Sequence, residues 1–523
     1  MSTAARTSDQ EEKDEAEWTQ TLSQVVSPSK KTKLMAIQPP ALISKLGNSR
    51  LIVHIDIDCF YAQVEMLRNP SLRDRPLGIQ QKNIVVTCNY VARARGVSKL
   101  SLVSEAKLKC PDLVLIRGED LTPYRDVSHK MFELMRSYTD KVERLGLDEC
   151  FLDVTDVISR IGDKMQGAIV GHIYTGGESA FCVDSVPDRD SYNRLAAGSQ
   201  LAAKIRSDLA DTIGLTSCAG IAHSKLLAKV GGTMNKPNAQ TTILPIYSDD
   251  LLSCLKVGQI PWIGSKCSKQ LKEAGFEFVS DVALLPHDKL VDILGGANTA
   301  QNVYLLCHGI DDSEVIPSGA AKQYSIEDSF QECFTVEEAH HRLDTLCSRL
   351  LERYYHDEQD RRIPTTARIS VRKHSSYHRE SRQCALPLAI FQTSNRKEQL
   401  DAICSVFKSL LSKALDLKKP FHLTLINVAF TGLKLKTSTD SNLYKFFRPS
   451  AGQQSILSSE SSTMSESNKR LPKDIDVTVF ETLPQDIQTE LLERWKKPAV
   501  IAAKQINSNS TGTGIKRYFT RKA

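Results

Sequence analysis

The stretch "IVHIDIDCFYAQVE", Ile52 to Glu65, decides how this chain is read. Its first half is an apolar run suited to a buried strand. From Phe60 onward Phe60, Val64 and Leu67 recur at helical spacing. Asp56 and Asp58 stand at the junction, and an extended backbone sends both to one side of a sheet. Once the helix begins, Asp58 falls where an N-cap belongs, a position that Asp favours. The pair therefore divides into a free carboxylate at a strand end, Asp56, and a structural one, Asp58.

A second acidic pair, Asp148 and Glu149, follows a turn at Gly146 in "VERLGLDECFLDV", which reads as strand–turn–strand. Three carboxylates brought together repel one another unless cations neutralise them. Magnesium suits such a site, because it takes oxygen ligands from a few carboxylates and from substrate phosphates. Two such ions could clamp an in-line phosphoryl transfer. The alternative is a pair of solvated surface acids. Strict alternation sends Asp148 and Glu149 to opposite faces, so ligation by both needs a bend in the strand.

Cationic and hydroxyl groups that suit phosphate lie in two further stretches. "TCNYVARARGV" offers Thr87, Tyr90, Arg93 and Arg95 after a strand, with Tyr90 and Arg93 on one helical face. "GIAHSKLLAKVGGTMNKPN" offers Lys225, Lys229 and Lys236. Each alone reads equally well as a solvated surface charge.

Composition narrows the setting. The chain has 523 residues, 41% apolar and 25% charged, with a formal charge of +6, which is ordinary for a soluble protein of two to four domains. No apolar run is long enough for a membrane helix, and the N-terminal segment carries the acidic run Asp9 to Glu17 rather than a signal sequence. The 13 cysteines form no CxxC pair and no zinc-ligand spacing with histidine, so they read as reduced intracellular thiols. Residues 1–48 are polar and read as a disordered tail. "LAAKIRSDLADTIGL" puts Leu201, Ile205 and Leu209 on one helical face, whereas 157–195 reads as an elaborated loop. After residue 436 the composition collapses, with seven serines in the twenty residues from Ala451 to Arg470.

"DIDCFYAQVE", "VVTCNYVAR", "LGLDECFLD" and "GIAHSKLLAKVGGTMNKPN", in this order, resemble the Y-family translesion DNA polymerases. One branch of that family is marked by "GIQQKNIVVTCNY", "VGHIYTGG", "KQYSIEDSF" and "RESRQCALP". The resemblance covers about residues 50–435 and implies an α+β, multidomain right-hand polymerase with disordered tails. The palm would span 49–59 and 119–245, the fingers 60–118, the thumb 246–310, a linker 311–325 and the little-finger domain 326–435.

It also implies site roles. Asp56, Asp148, Glu149 and the backbone carbonyl of Ile57 would hold two Mg²⁺ ions, with Mn²⁺ as an alternative. Cys59, Phe60, Tyr61, Thr87, Tyr90, Arg93 and Lys225 would contact the dNTP, Tyr61 as the gate against a 2′-hydroxyl. Gln81 and Ile84 would crowd the templating base, favouring a syn purine and Hoogsteen pairing. The family pattern has Asn where this chain has Ser224, just before Lys225.

Other stretches bear on DNA and partners. "IPWIGSKCSKQL" (Ile260 to Leu271) is similar to a helix–hairpin–helix, in which Gly264, Lys266 and Lys269 would face a DNA phosphate; the alternative is an ordinary helical hairpin. From Arg361 to Arg382, seven Lys and Arg stand against one acid, Glu380. Within it "ARISVR" puts Arg368, Ser370 and Arg372 opposite Ala367, Ile369 and Val371, so Arg368 and Arg372, with Lys373 beside them, suit a duplex backbone or a merely solvated face. In the tail 436–523, "DIDVTVFETLPQDIQTELLERW" (474–495) resembles a ubiquitin-binding motif around Leu483 and Pro484. "DSNLYKFF" (440–447) and "GTGIKRYF" (512–519) resemble sliding-clamp boxes that dock Leu443, Phe446 and Phe447, or Ile515, Tyr518 and Phe519.

The implied protein is a nuclear, error-prone, template-directed polymerase without proofreading or processivity. Its partners would be primer-template DNA, dNTPs, the clamp, ubiquitin or ubiquitinated clamp and other translesion polymerases, with no membrane. A catalytically idle scaffold and a two-metal nuclease are the rival readings.

Overall fold

The structure is a computed structural model that describes residues 49–161, 167–176, 181–357, 362–374, 376 and 378–435. The tail residues Leu443, Phe446, Phe447, Leu483, Pro484, Ile515, Tyr518 and Phe519, with the segment 1–48 and Arg361, lie outside the described residues. No helix among the described residues is long and apolar enough to cross a membrane.

The opening stretch forms β1 (Ile52–Ile57), buried along its whole length. It lies inside a six-stranded sheet in the order β6 (Val142–Arg144), β7 (Glu149–Asp153), β1, β9 (Ser217–Ala222), β10 (Gln240–Thr242), β8 (His172–Ile173). Both neighbours of β1 are antiparallel to it, and the register sets Asp56 between Glu149 and Cys218. Alternation divides the apolar residues between two cores. Val53, Ile55 and Ile57 join Met131 and Met135 of one helix and Leu201, Ile205 and Leu209 of another. Ile52 and Phe151 face the other way, onto Leu226, Leu227 and Val230 and onward to Ile260, Leu271 and Leu290. The core of the helical segment after residue 246 is thus continuous with the sheet.

Two readings change here. The helix carrying Leu201 begins at Arg189, capped by the Asp188 side chain on Ser191 N, so the irregular segment is shorter than its composition suggests. Helix α1 (Phe60–Arg68) is not capped by Asp58, because its N-cap is Cys59, in the left-handed region at φ 36°.

A smaller sheet, β4 (Ser101–Leu102), β3 (Ile84–Cys88), β2 (Leu77–Gln81), β5 (Val114–Arg117), stands beside α1. A third sheet has the order β11 (Gln323–Ser329), β14 (Leu423–Leu435), β12 (Arg362–Lys373), β13 (Arg379–Ala385). Ala367, Ile369 and Val371 of β12 pack with Leu343, Leu350, Phe407 and Leu411 of two long helices, which leaves Arg368 and Arg372 on the outer face. β11 starts at Gln323, inside the stretch that reads as linker. That stretch is also tied down, with Val315 buried and Ser318 N donating to Val142 O at 2.9 Å.

Candidate active site

A cavity of about 300 Å³ opens where β1 ends and β7 begins. It is lined by Asp56, Ile57, Asp148, Glu149 and Lys236 from the six-stranded sheet and its loops. Cys59, Phe60 and Tyr61 come from the start of α1, Val86, Thr87, Tyr90 and Arg93 from the small sheet and the helix after it, and Lys99 from the turn that follows that helix. β7 begins only at Glu149, so Asp148 lies in the preceding bend and is free of the strand's alternation. Its carbonyl accepts from Ile57 N at 3.0 Å, which fixes the bend against β1.

Asp56 and Glu149 are held by lysines. Lys236 Nζ lies 2.7 Å from Asp56 Oδ2. Lys229 Nζ reaches both oxygens of Glu149, at 2.8 and 2.9 Å, and His54 Nε2 lies 3.1 Å from Oε2. Burial works against ionisation of Glu149, but the His54 hydrogen bond and the Lys229 charge outweigh it and hold the carboxyl below the usual carboxylate range.

Asp58 serves the same site at one remove. Its carboxylate accepts from Thr216 Oγ1 at 3.0 Å, from Cys218 Sγ at 3.2 Å and from Asn238 N at 2.9 Å. The last bond grips the loop two residues beyond Lys236. Gln63 ties the same region, its Oε1 accepting from Thr216 N at 2.9 Å.

On the opposite wall, Asn89 caps the helix Tyr90–Ala94 and also accepts from Leu77 N, which locks that helix to the sheet. Arg93 lies over the Tyr90 ring, 4.6 Å from its centroid, and donates from Nε to Cys88 O. Burial, then Asp58, raises the Tyr90 phenol, so it stays a neutral donor. Burial pushes the Cys59 thiol up to about 12. Tyr61 stacks on Tyr124 with ring centroids 4.3 Å apart, and the Tyr124 hydroxyl donates to buried Glu65 at 2.9 Å. The Tyr61 ring on the cavity wall is therefore backed by a hydrogen-bonded neighbour.

Not every residue singled out from the sequence lines this cavity. Lys225 does not reach the cavity. Its ammonium lies 2.8 and 2.9 Å from the Glu143 carboxylate and 3.2 Å from Glu314 O, with the Phe151 and Trp262 rings around it. Lys236, eleven residues on in the same motif, lines the cavity instead, and Lys99 joins it without having been singled out. Gln81 and Ile84 pair across the β2–β3 hairpin, where Gln81 Nε2 donates to Gly118 O; the cavity is lined by Val86 and Thr87 of β3. Lys373 pairs with Glu380, which lies opposite the inward-facing Val371, so it leaves the face that carries Arg368 and Arg372. Ser224, in the place of the family Asn, caps the helix α2 (Lys225–Met234) by accepting from Leu227 N at 3.3 Å.

Arg368 donates to Gln323 Oε1 at 2.7 Å, and Arg372 Nε to Thr424 Oγ1 at 3.0 Å. Gly264 is the N-cap of the helix Ser265–Glu273, on which Lys266 and Lys269 are exposed.

Among the described residues no group of three His, Cys, Asp or Glu side chains is placed to hold a metal ion by itself. The donors nonetheless fit magnesium: all are oxygens, on carboxylates open to one cavity, and such ions complete their shell with substrate phosphates and water.

Residues 55–233 match the model of the impB/mucB/samB family, and residues 321–443 that of its C-terminal domain. DNA polymerase iota of Homo sapiens is 38% identical over 505 residues, spanning 85% of this chain and 67% of that protein. DNA polymerase iota of Drosophila melanogaster is 38% identical over 428 residues, 77% of this chain and 57% of that protein. DNA polymerase IV of Pseudoalteromonas atlantica is 29% identical over 404 residues, 76% of this chain and 98% of that protein.

Proposed function

The chain belongs to the impB/mucB/samB family of Y-family translesion DNA polymerases, and from that membership we propose that it is an error-prone, DNA-directed DNA polymerase acting in translesion synthesis. Its substrates are primer-template DNA and dNTPs, and it needs divalent cations. One observation carries the assignment of residues: Asp56, Asp148 and Glu149 open onto the same cavity as Thr87, Tyr90, Arg93 and Lys236.

In this reading Asp56, Asp148, Glu149 and the Ile57 carbonyl hold two Mg²⁺, or Mn²⁺, ions. When bound, these supply charge neutralisation and Lewis acidity at the reacting phosphate. Thr87, Tyr90, Arg93 and Lys236 hold the triphosphate, so that the primer 3′-hydroxyl attacks the α-phosphate in line. Arg93 and Lys236 carry the charge that grows on the departing pyrophosphate. Tyr61, fixed on Tyr124, excludes the 2′-hydroxyl. Gln81 and Ile84, in the hairpin next to the cavity, shape the template side, and Arg368, Arg372 and Gly264 track the duplex backbone. The protein works in the nucleus, the tail boxes at 440–447 and 512–519 dock the clamp, and the segment 474–495 binds ubiquitin or ubiquitinated clamp; other translesion polymerases are further partners.

Primer extension tests this reading. Wild type should add nucleotides to a primed template with Mg²⁺ or Mn²⁺, and Asp148→Ala with Glu149→Ala should abolish addition. Degradation of the DNA by wild type would point to a nuclease, and no activity at all to a scaffold.

A further inference from the structure

His54 lies on β1 two residues before Asp56, so both side chains leave the strand on the face covered by α2. Its register neighbours are Phe151 and Gly220. The helix can sit this close only because glycines face each other there. A methyl group on Gly220 would come within 1.8 Å of Ala228 O, and one on Gly232 within 2.6 Å of His54 Nδ1. The imidazole fills the remaining slot, fully buried, with its ring 5.0 Å from that of Phe151.

Nδ1 has no hydrogen-bond partner and faces Gly232. A hydrogen on Nδ1 would be a buried donor with nothing to accept it, whereas an unprotonated Nδ1 is only an unfilled acceptor. The hydrogen therefore belongs on Nε2, which donates to Glu149 Oε2 at 3.1 Å. Lys229 contacts both Glu149 oxygens at nearly equal distance, so it neutralises the carboxylate without choosing between them. The rigid imidazole does choose.

We infer that His54 is a positioning residue of the polymerase site, whose Nε2–H holds Oε2 of Glu149 and thereby fixes which oxygen the carboxylate turns to the cavity. This rests on the reading of Glu149 as one of the cation-holding acids. A buried partner of this kind typically changes metal affinity or activity by about 10–100-fold when removed.

The test is Mn²⁺ binding, followed by electron paramagnetic resonance, in the full chain bound to a dideoxy-terminated primer-template and the matching dNTP. Primer extension gives kcat and KM beside it. His54→Leu, which lacks a donor, should raise half-saturating Mn²⁺ by about 10-fold or more and lower kcat in the same range, with the dNTP KM changed by less than about two-fold. His54→Gln can place an amide N–H near the position of Nε2 and should recover most of the affinity. His54→Asn reaches only toward Nδ1 and should not. Unchanged Mn²⁺ affinity in His54→Leu overturns the inference. If His54→Leu does not fold, the Gln and Asn variants decide, and equal affinities in the two overturn it. Failure of wild type to extend a primer would instead sink the polymerase reading itself.

Discussion

At the cavity edge of the six-stranded sheet the polar side chains are buried or half-buried and matched to partners of opposite charge or to a hydrogen-bonding ring: His54 with Glu149, Lys229 with Glu149, Lys236 with Asp56. On the outer face of the β11–β14 sheet, Arg368 and Arg372 are half-buried and lean on the neutral groups of Gln323 and Thr424, while Arg379 pairs with Glu327 near the surface. The first region holds charge in a low dielectric, where position decides the energy and salt matters little. The second presents charge to solvent, where each contact is weak and screened. Catalysis demands the first kind of construction and sequence-independent grip on a duplex demands the second.

The sharpest contrast should come from removing acids. Asp148→Ala with Glu149→Ala is expected to cut extension to less than about one-thousandth of wild type, because the carboxylates act as a unit. The loss should persist at every salt concentration in a single-turnover assay; recovery at low salt would place both acids in the screened class.

Lys225 and Lys236 make a finer probe. Lys236→Ala should lower kcat/KM for dNTP by about 100-fold, the scale of one lost charge-stabilising donor. Lys225→Ala should leave the dNTP KM within about two-fold of wild type. It should instead lower the unfolding free energy by about 3 kcal/mol or more, since the part-buried Glu143 loses its ion-pair partner. Denaturant titration with dNTP kinetics on both variants checks this, and the opposite pattern would return Lys225 to the nucleotide.

That pair also shows what the sequence carried. The strand, the helix after it and the grouping of Asp56 with Asp148 and Glu149 follow from local periodicity, the turn at Gly146 and a family resemblance. The choice of lysine did not, because Lys236 is set in place by Asp58 gripping Asn238 across 180 positions. Asp58 was legible as structural but not as this clamp, since a left-handed Cys59 starts the helix one residue later and tertiary donors take the carboxylate. On the outer sheet, alternation alone separates Arg368 and Arg372 from the core, and it already puts Lys373 on the side of Val371. Grouping the basic residues by count obscured that.

The outer face should respond to salt. Arg368→Ala with Arg372→Ala should weaken primer-template binding at moderate salt and reduce the slope of log K against log salt by about 1.8, if each arginine neutralises one phosphate. Single-nucleotide addition at saturating DNA should hardly change. A steep slope retained in the double variant would take both residues off the duplex.

The smallest effect is expected at Ser224, and it bears on the buried region alone. Its hydroxyl accepts from Leu227 N at the start of α2, the helix that carries Lys225 and Lys229 and covers His54. Ser and Asn are comparable caps, since each offers one oxygen to the first free amides, so the departure from the family pattern should cost nothing. Ser224→Asn is therefore expected to leave unfolding free energy within a few tenths of a kcal/mol, and Ser224→Ala to lower it by about 1 kcal/mol. Neither should alter the salt dependence of DNA binding. If Ser224→Ala shifts that slope while stability holds, the end of α2 touches the duplex, and the division between a buried, salt-insensitive site and a screened outer face does not hold at this helix.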